Sequence, residues 1–81
     1  MSKANVLVVD DEPGVRDMLT DALRLQGYHV TAVVDGFEAL KELRSGEFDL
    51  VVSDINMPKV DGYELLERMR NVGDATPVIL L

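Results

Sequence analysis

Apolar and polar positions along the chain switch repeatedly between a strand-like and a helix-like period, and each switch marks an element. Val6-Leu7-Val8-Val9 is an unbroken run of β-branched residues and leucine, the pattern of a strand buried on both faces. Asp10-Asp11-Glu12-Pro13 stops it, and Pro13 suits the first turn of a helix, where a missing N–H costs nothing. Val15, Met18, Leu19, Ala22 and Leu23 then recur at helical spacing, which predicts a helix with one core-facing stripe, ended near Gly27.

The alternation then repeats. Tyr28–Val34 reads as a second strand, and Asp35-Gly36 opens a short helix with Ala39, Leu40 and Leu43 inward, closed by Ser45-Gly46. Phe48–Ser53 reads as the third strand. After the loop Asp54–Asp61, Leu65, Leu66 and Met69 share one face of a third helix, with Asp61 as its N-cap. Asn71–Pro77 is a loop before a fourth strand, Val78–Leu81. Strand and helix alternating through short connections imply parallel strands and right-handed crossovers, so the predicted class is α/β with a doubly wound parallel sheet. An all-apolar last strand is expected to be central in its sheet, so the domain, residues 1–81, is expected to be incomplete at its C-terminus.

Composition narrows the function. The chain has 81 residues, 47% hydrophobic and 28% charged, which fits one small folded domain and excludes disorder. Its apolar runs are far shorter than the roughly 20 residues that cross a bilayer. Fifteen acidic residues against eight basic ones give a net charge of −7, which opposes direct binding to nucleic acid. With no cysteine there is no disulfide, thiolate metal site or cysteine nucleophile. Residues 1–5 run straight into a strand without a signal peptide, so a cytoplasmic location is expected.

The chemistry gathers at the strand ends. Ligands of open parallel sheets sit outside the carboxyl ends of the strands. The first strand ends in Asp10-Asp11 and the third in Asp54, so three carboxylates converge if those two strands are neighbours. Like charges that close call for a cation or a proton between them, and hard oxygen donors select Mg²⁺, with Mn²⁺ as the alternative. Singly, each has a plainer role: Asp10 or Asp11 as the helix N-cap, Asp54 as a loop residue. Lys59 is a candidate phosphate contact or a solvated loop charge. His29, the sole histidine, lies early in the second strand, away from the acidic end.

Val6-Leu7-Val8-Val9-Asp10-Asp11-Glu12, followed by Val52-Ser53-Asp54-Ile55-Asn56-Met57-Pro58-Lys59-Val60-Asp61-Gly62, resembles the receiver domain of bacterial two-component response regulators. The resemblance runs from Lys3 to Leu81. It implies a flavodoxin-like receiver fold with strand order 2-1-3-4, followed in the family by a fifth strand and two more helices. It implies that Asp54 is the phosphoacceptor, charged by a sensor histidine kinase or phosphotransfer protein. Asp11 and Asp54 would bind Mg²⁺ directly, Asp10 through water, and Asn56 through its backbone carbonyl. The domain would then be a signalling switch for an output surface or domain. Apart from assisting its own phosphorylation and dephosphorylation, it would not be an enzyme.

The family also has a Thr or Ser just after strand four and a Lys after strand five. Thr76 precedes the fourth strand and cannot be that hydroxyl, and no lysine of the chain stands at the second position. The competing expectation is therefore a truncated or degenerate receiver that only binds proteins. An exposed strand-four edge would also invite a homodimer. A nucleotide-binding enzyme is disfavoured, because Asp10-Asp11-Glu12-Pro13 stands where a glycine-rich phosphate loop would follow the first strand.

Overall fold

In the computed structural model, which describes residues 3–81, the seven predicted elements form in the predicted order. They are β1 (Asn5–Val9), α1 (Pro13–Leu25), β2 (His29–Val33), α2 (Gly36–Ser45), β3 (Leu50–Ser53), α3 (Gly62–Asn71) and β4 (Val78–Leu80). The strands are all parallel and lie in the order β2-β1-β3-β4. The condition on the carboxylates is thereby met: β1 pairs with β3, Val9 opposite Ser53, so the residues after both strands leave the sheet side by side.

Alternate strand residues feed two layers, as the pleat requires. Leu7, Val9, Val33 and Val51 point to one face, where Ala39 of α2 and Leu65 and Met69 of α3 complete the larger core. Met57 and Val60 of the β3–α3 loop are buried in the same cluster, so that loop is anchored on both sides of its tip. Val6, Val8 and Val52 point to the other face and meet Leu19 and Leu23 of α1.

Helix ends follow from local chemistry. The Asp35 and Asp61 carboxylates accept from the N–H groups of Glu38 and Glu64, each at 2.8 Å, and so cap α2 and α3. α1 and α3 end in Schellman motifs at Gly27 (φ +94°) and Gly73 (φ +79°), a left-handed backbone that glycine takes without a Cβ clash.

One expectation needs correction. The inner stripe of α1 is not Val15, Met18, Leu19, Ala22 and Leu23. Val15 and Met18 are 36% and 60% exposed and Ala22 is exposed too, while Arg16, Leu19, Thr20 and Leu23 turn inward. The inward face is thus turned by about one residue, and on it Arg16 reaches back to the end of β1, a polar contact to which hydrophobic spacing is blind. The expected exposed edge at the fourth strand is present: β4 pairs with β3 alone among the described residues, and Ile79 is 48% exposed.

Candidate functional site

Asp10 and Asp11 follow β1, and Asp54 follows β3. Each offers a carboxylate oxygen, and the three oxygens lie within 4.8 Å of one another. Asp10 is buried at 4% exposure, Asp54 is half-buried and Asp11 is exposed, so the cluster has a closed floor and an open mouth.

The floor is tied down by backbone bonds. The Asp10 N–H donates to the Val33 carbonyl of β2 at 3.2 Å, and the Asp54 N–H donates to the Val9 carbonyl of β1 at 2.9 Å. One Asp10 carboxylate oxygen, Oδ1, accepts from the Glu12 N–H at 2.9 Å. The buried Ser53 hydroxyl donates to the Asp54 carbonyl at 2.9 Å. The Asn56 N–H reaches Asp54 Oδ1 at 3.3 Å, while the residue itself is exposed.

The plainer reading of the acidic pair is resolved by its neighbour. α1 is capped by Glu12, not by Asp10 or Asp11. The two Glu12 carboxylate oxygens accept from the N–H groups of Gly14 and Val15 at 3.0 and 2.7 Å. Those bonds, first to Val15 and then to Gly14, hold the Glu12 carboxyl below the ordinary glutamate range. Glu12 is thus committed to the helix, which spares both aspartates for the cluster. Sequence reading offered only Asp10 or Asp11 as the cap, because aspartate is favoured at that position and glutamate is not.

Gly62 brings α3 against the site. Its N–H donates to the Ile55 carbonyl at 3.0 Å, and a Cβ there would stand 2.6 Å from the Asp54 carbonyl oxygen. Lys59 sits at the exposed tip of the loop with φ +68°. His29 begins β2 at the opposite end of the sheet, and Thr76 precedes β4, where it donates to the Asp74 carboxylate. Sequence reading missed Arg16, whose Nη1 donates to the Asp10 carbonyl at 2.9 Å. An arginine four residues after a helix cap is the only signal it leaves.

The donor set fits a hard divalent cation: three carboxylates, all oxygen, with an open side for water. The pair β1/β3 is also where strand order reverses, since the chain leaves β1 for β2 on one side and returns to β3 on the other. Fold and site together define a doubly wound α/β protein with an acidic cluster at its topological switch point.

The response regulator receiver domain model matches residues 6–81, and the chain belongs to that family. It is 46% identical over 74 residues to the sensor histidine kinase RcsC of Escherichia coli K12, covering 91% of this chain and 8% of that one. It is 41% identical over 76 residues to the response regulator MprA of Mycobacterium sp. strain KMS, covering 94% of this chain and 33% of that one. The chain therefore spans a third or less of these relatives.

Solved structures agree in fold. The chemotaxis protein CheY4 of Vibrio cholerae superposes with a TM-score of 0.92 at 36% identity, over 98% of this chain and 68% of that one. The response regulator TrrA of Thermotoga maritima, crystallised in complex with Mg²⁺-BeF, gives 0.90 at 40% identity, over 95% and 67%. Among the described residues no helix is long and apolar enough to cross a membrane.

Proposed function

We propose that this receiver domain accepts a phosphoryl group on Asp54 from the phosphohistidine of a sensor histidine kinase or phosphotransfer protein, and that the modification switches an output surface or domain. The observation that carries the reading is the meeting of three carboxylates from two adjacent strand ends within 4.8 Å. A module that only binds proteins has no use for that much mutual repulsion.

In the transfer, an Asp54 carboxylate oxygen attacks phosphorus and forms the P–O bond of an acyl phosphate as the P–N bond breaks. The bond's electron pair returns to an imidazole that carries its proton on the other ring nitrogen and leaves neutral. Phosphoryl transfer is mostly positioning and charge neutralisation. Asp11 and Asp54 would hold Mg²⁺, or Mn²⁺, directly, Asp10 through water and Asn56 through its backbone carbonyl. When bound, the ion neutralises charge on the phosphoryl oxygens. The Val9 carbonyl and the Ser53 hydroxyl orient Asp54 by fixing its backbone on either side.

The same reading places the domain in the cytoplasm, where kinases draw on ATP, and gives it no direct contact with nucleic acid. For this chain by itself it adds a second copy paired along the β4 edge, a dimer that light scattering would detect.

The test is intact mass after incubation with acetyl phosphate and Mg²⁺, with Asp54→Ala alongside. One phosphoryl adduct on the parent chain and none on the variant is the expected result. A folded, Mg²⁺-binding chain that takes no adduct would overturn the proposal in favour of a binding module.

A further inference from the structure

We infer that Arg16 is a positioning residue for the cation site: it holds the Asp10–Asp11 peptide so that the acidic cluster is preformed. The inference rests on the receiver reading above and goes beyond it, to a residue outside the cluster.

Asp10 is the first residue past β1, so its carbonyl has left the sheet ladder, yet the residue is only 4% exposed. A carbonyl buried there needs a donor. Arg16 Nη1 supplies one at 2.9 Å. With the N–H on Val33 and Oδ1 on the Glu12 N–H, every backbone polar group of Asp10 and one carboxylate oxygen are then engaged. The Asp10 carbonyl belongs to the same peptide plane as the Asp11 N–H. Fixing that plane fixes the direction in which Asp11 leaves the backbone, toward Asp54.

The choice of partner matters as much as the bond. A guanidinium beside three carboxylates could fill the cluster itself as an ion pair. Among the described residues the one ion pair is Arg68–Glu64, on the exposed face of α3, and none involves the cluster. Arg16 is tied to a carbonyl instead, which keeps its charge off the oxygens a cation needs. Arg16 also lies on the inward side of α1, with Leu19 and Leu23, where hydrophobic spacing predicts Val15 and Met18.

Position and charge predict opposite results, which makes the inference testable. Removing a positive charge near a cation site tightens binding if charge dominates. Removing the peptide's anchor weakens it if position dominates, and partners of this indirect kind affect metal affinity by roughly ten- to a hundredfold. Mn²⁺ binding followed by electron paramagnetic resonance, with urea unfolding of the metal-free chain, separates the two for the parent chain, Arg16→Gln and Arg16→Lys.

The expected result is about tenfold weaker Mn²⁺ binding for a still-folded Arg16→Gln, whose urea midpoint falls only modestly as one buried carbonyl loses its donor, with most of the affinity kept by Arg16→Lys. Equal or tighter binding by Arg16→Gln overturns the inference, and so does a lysine variant as weak as the glutamine one. An Arg16→Gln chain that no longer folds makes the contact structural, which overturns it as well. A parent chain that binds no Mn²⁺ defeats the cation site itself, an outcome distinct from all of these.

Discussion

The α-carbon of Gly62 lies so close to the Asp54 carbonyl that a β-carbon built on it would stand 2.6 Å from that oxygen, and 3.0 Å from both the Ile55 α-carbon and Leu80 Cδ2. Two of those three neighbours are backbone of the segment that carries Asp54, so the start of α3 and the acidic site are packed as one piece. Gly62→Ala should cost about 1–3 kcal/mol in urea unfolding, although alanine normally favours a helix over glycine. An unchanged or higher midpoint would mean that α3 can slide away from Asp54.

The three carboxylates repel one another, so removing one charge relieves the fold. Without Mg²⁺, Asp54→Asn should be as stable as the parent or up to about 1 kcal/mol more so, a small gain because the cluster opens to solvent. Mg²⁺ at about a hundred times its Kd should stabilise the parent by about 2.7 kcal/mol, and chelation should remove the gain. Thermal melts with and without EDTA check both; a variant that melts far below the parent would contradict the repulsion.

Two carboxylates outside the cluster set an acid limb. The Val15 and Gly14 N–H groups hold Glu12 low, and the hydroxyl and N–H of Thr76 do the same for Asp74. A carboxyl with a lowered folded pKa binds fewer protons folded than unfolded. Its contribution is therefore complete above the ordinary carboxylate range and lost as pH falls through that range to the folded values. Urea midpoints should fall between about pH 6 and about pH 3, and less steeply in Glu12→Gln combined with Asp74→Asn. Equal slopes would show that other groups carry the acid limb.

Thr20 turns inward on α1 at 7% exposure, and its hydroxyl has no hydrogen-bond partner among the described residues. A buried polar group without a partner costs about 1–3 kcal/mol. Thr20→Val keeps the shape and discards the hydroxyl, so it should gain about 1 kcal/mol by urea unfolding. A loss would show that the hydroxyl is satisfied in solution.

Lys59 has φ +68° at the exposed tip of the β3–α3 loop, a backbone that L-residues adopt at a cost of roughly 1–2 kcal/mol. Glycine removes that strain but has more freedom to lose on folding, so Lys59→Gly should gain at most about 1 kcal/mol. Lys59→Val, β-branched, should lose more than that. The same ranking in chemical unfolding checks the loop conformation, and a tolerated valine would refute it.

Periodicity and composition by themselves determined the seven elements, the parallel α/β class and the three aspartates at strand ends, because these depend on neighbours in sequence: alternation, caps and turn residues. Asp35 and Asp61 were legible as caps for the same reason. What lay beyond the sequence was which end meets which. Asp10 and Asp54 stand 44 positions apart, and only the pairing of β1 with β3 makes them neighbours. Tertiary structure also decided that Arg16 reaches inward to the Asp10 carbonyl and that Gly62 seats α3 on Asp54. Each is a single contact between a side chain or α-carbon and a particular backbone atom, whose distance and direction no local pattern of residues encodes.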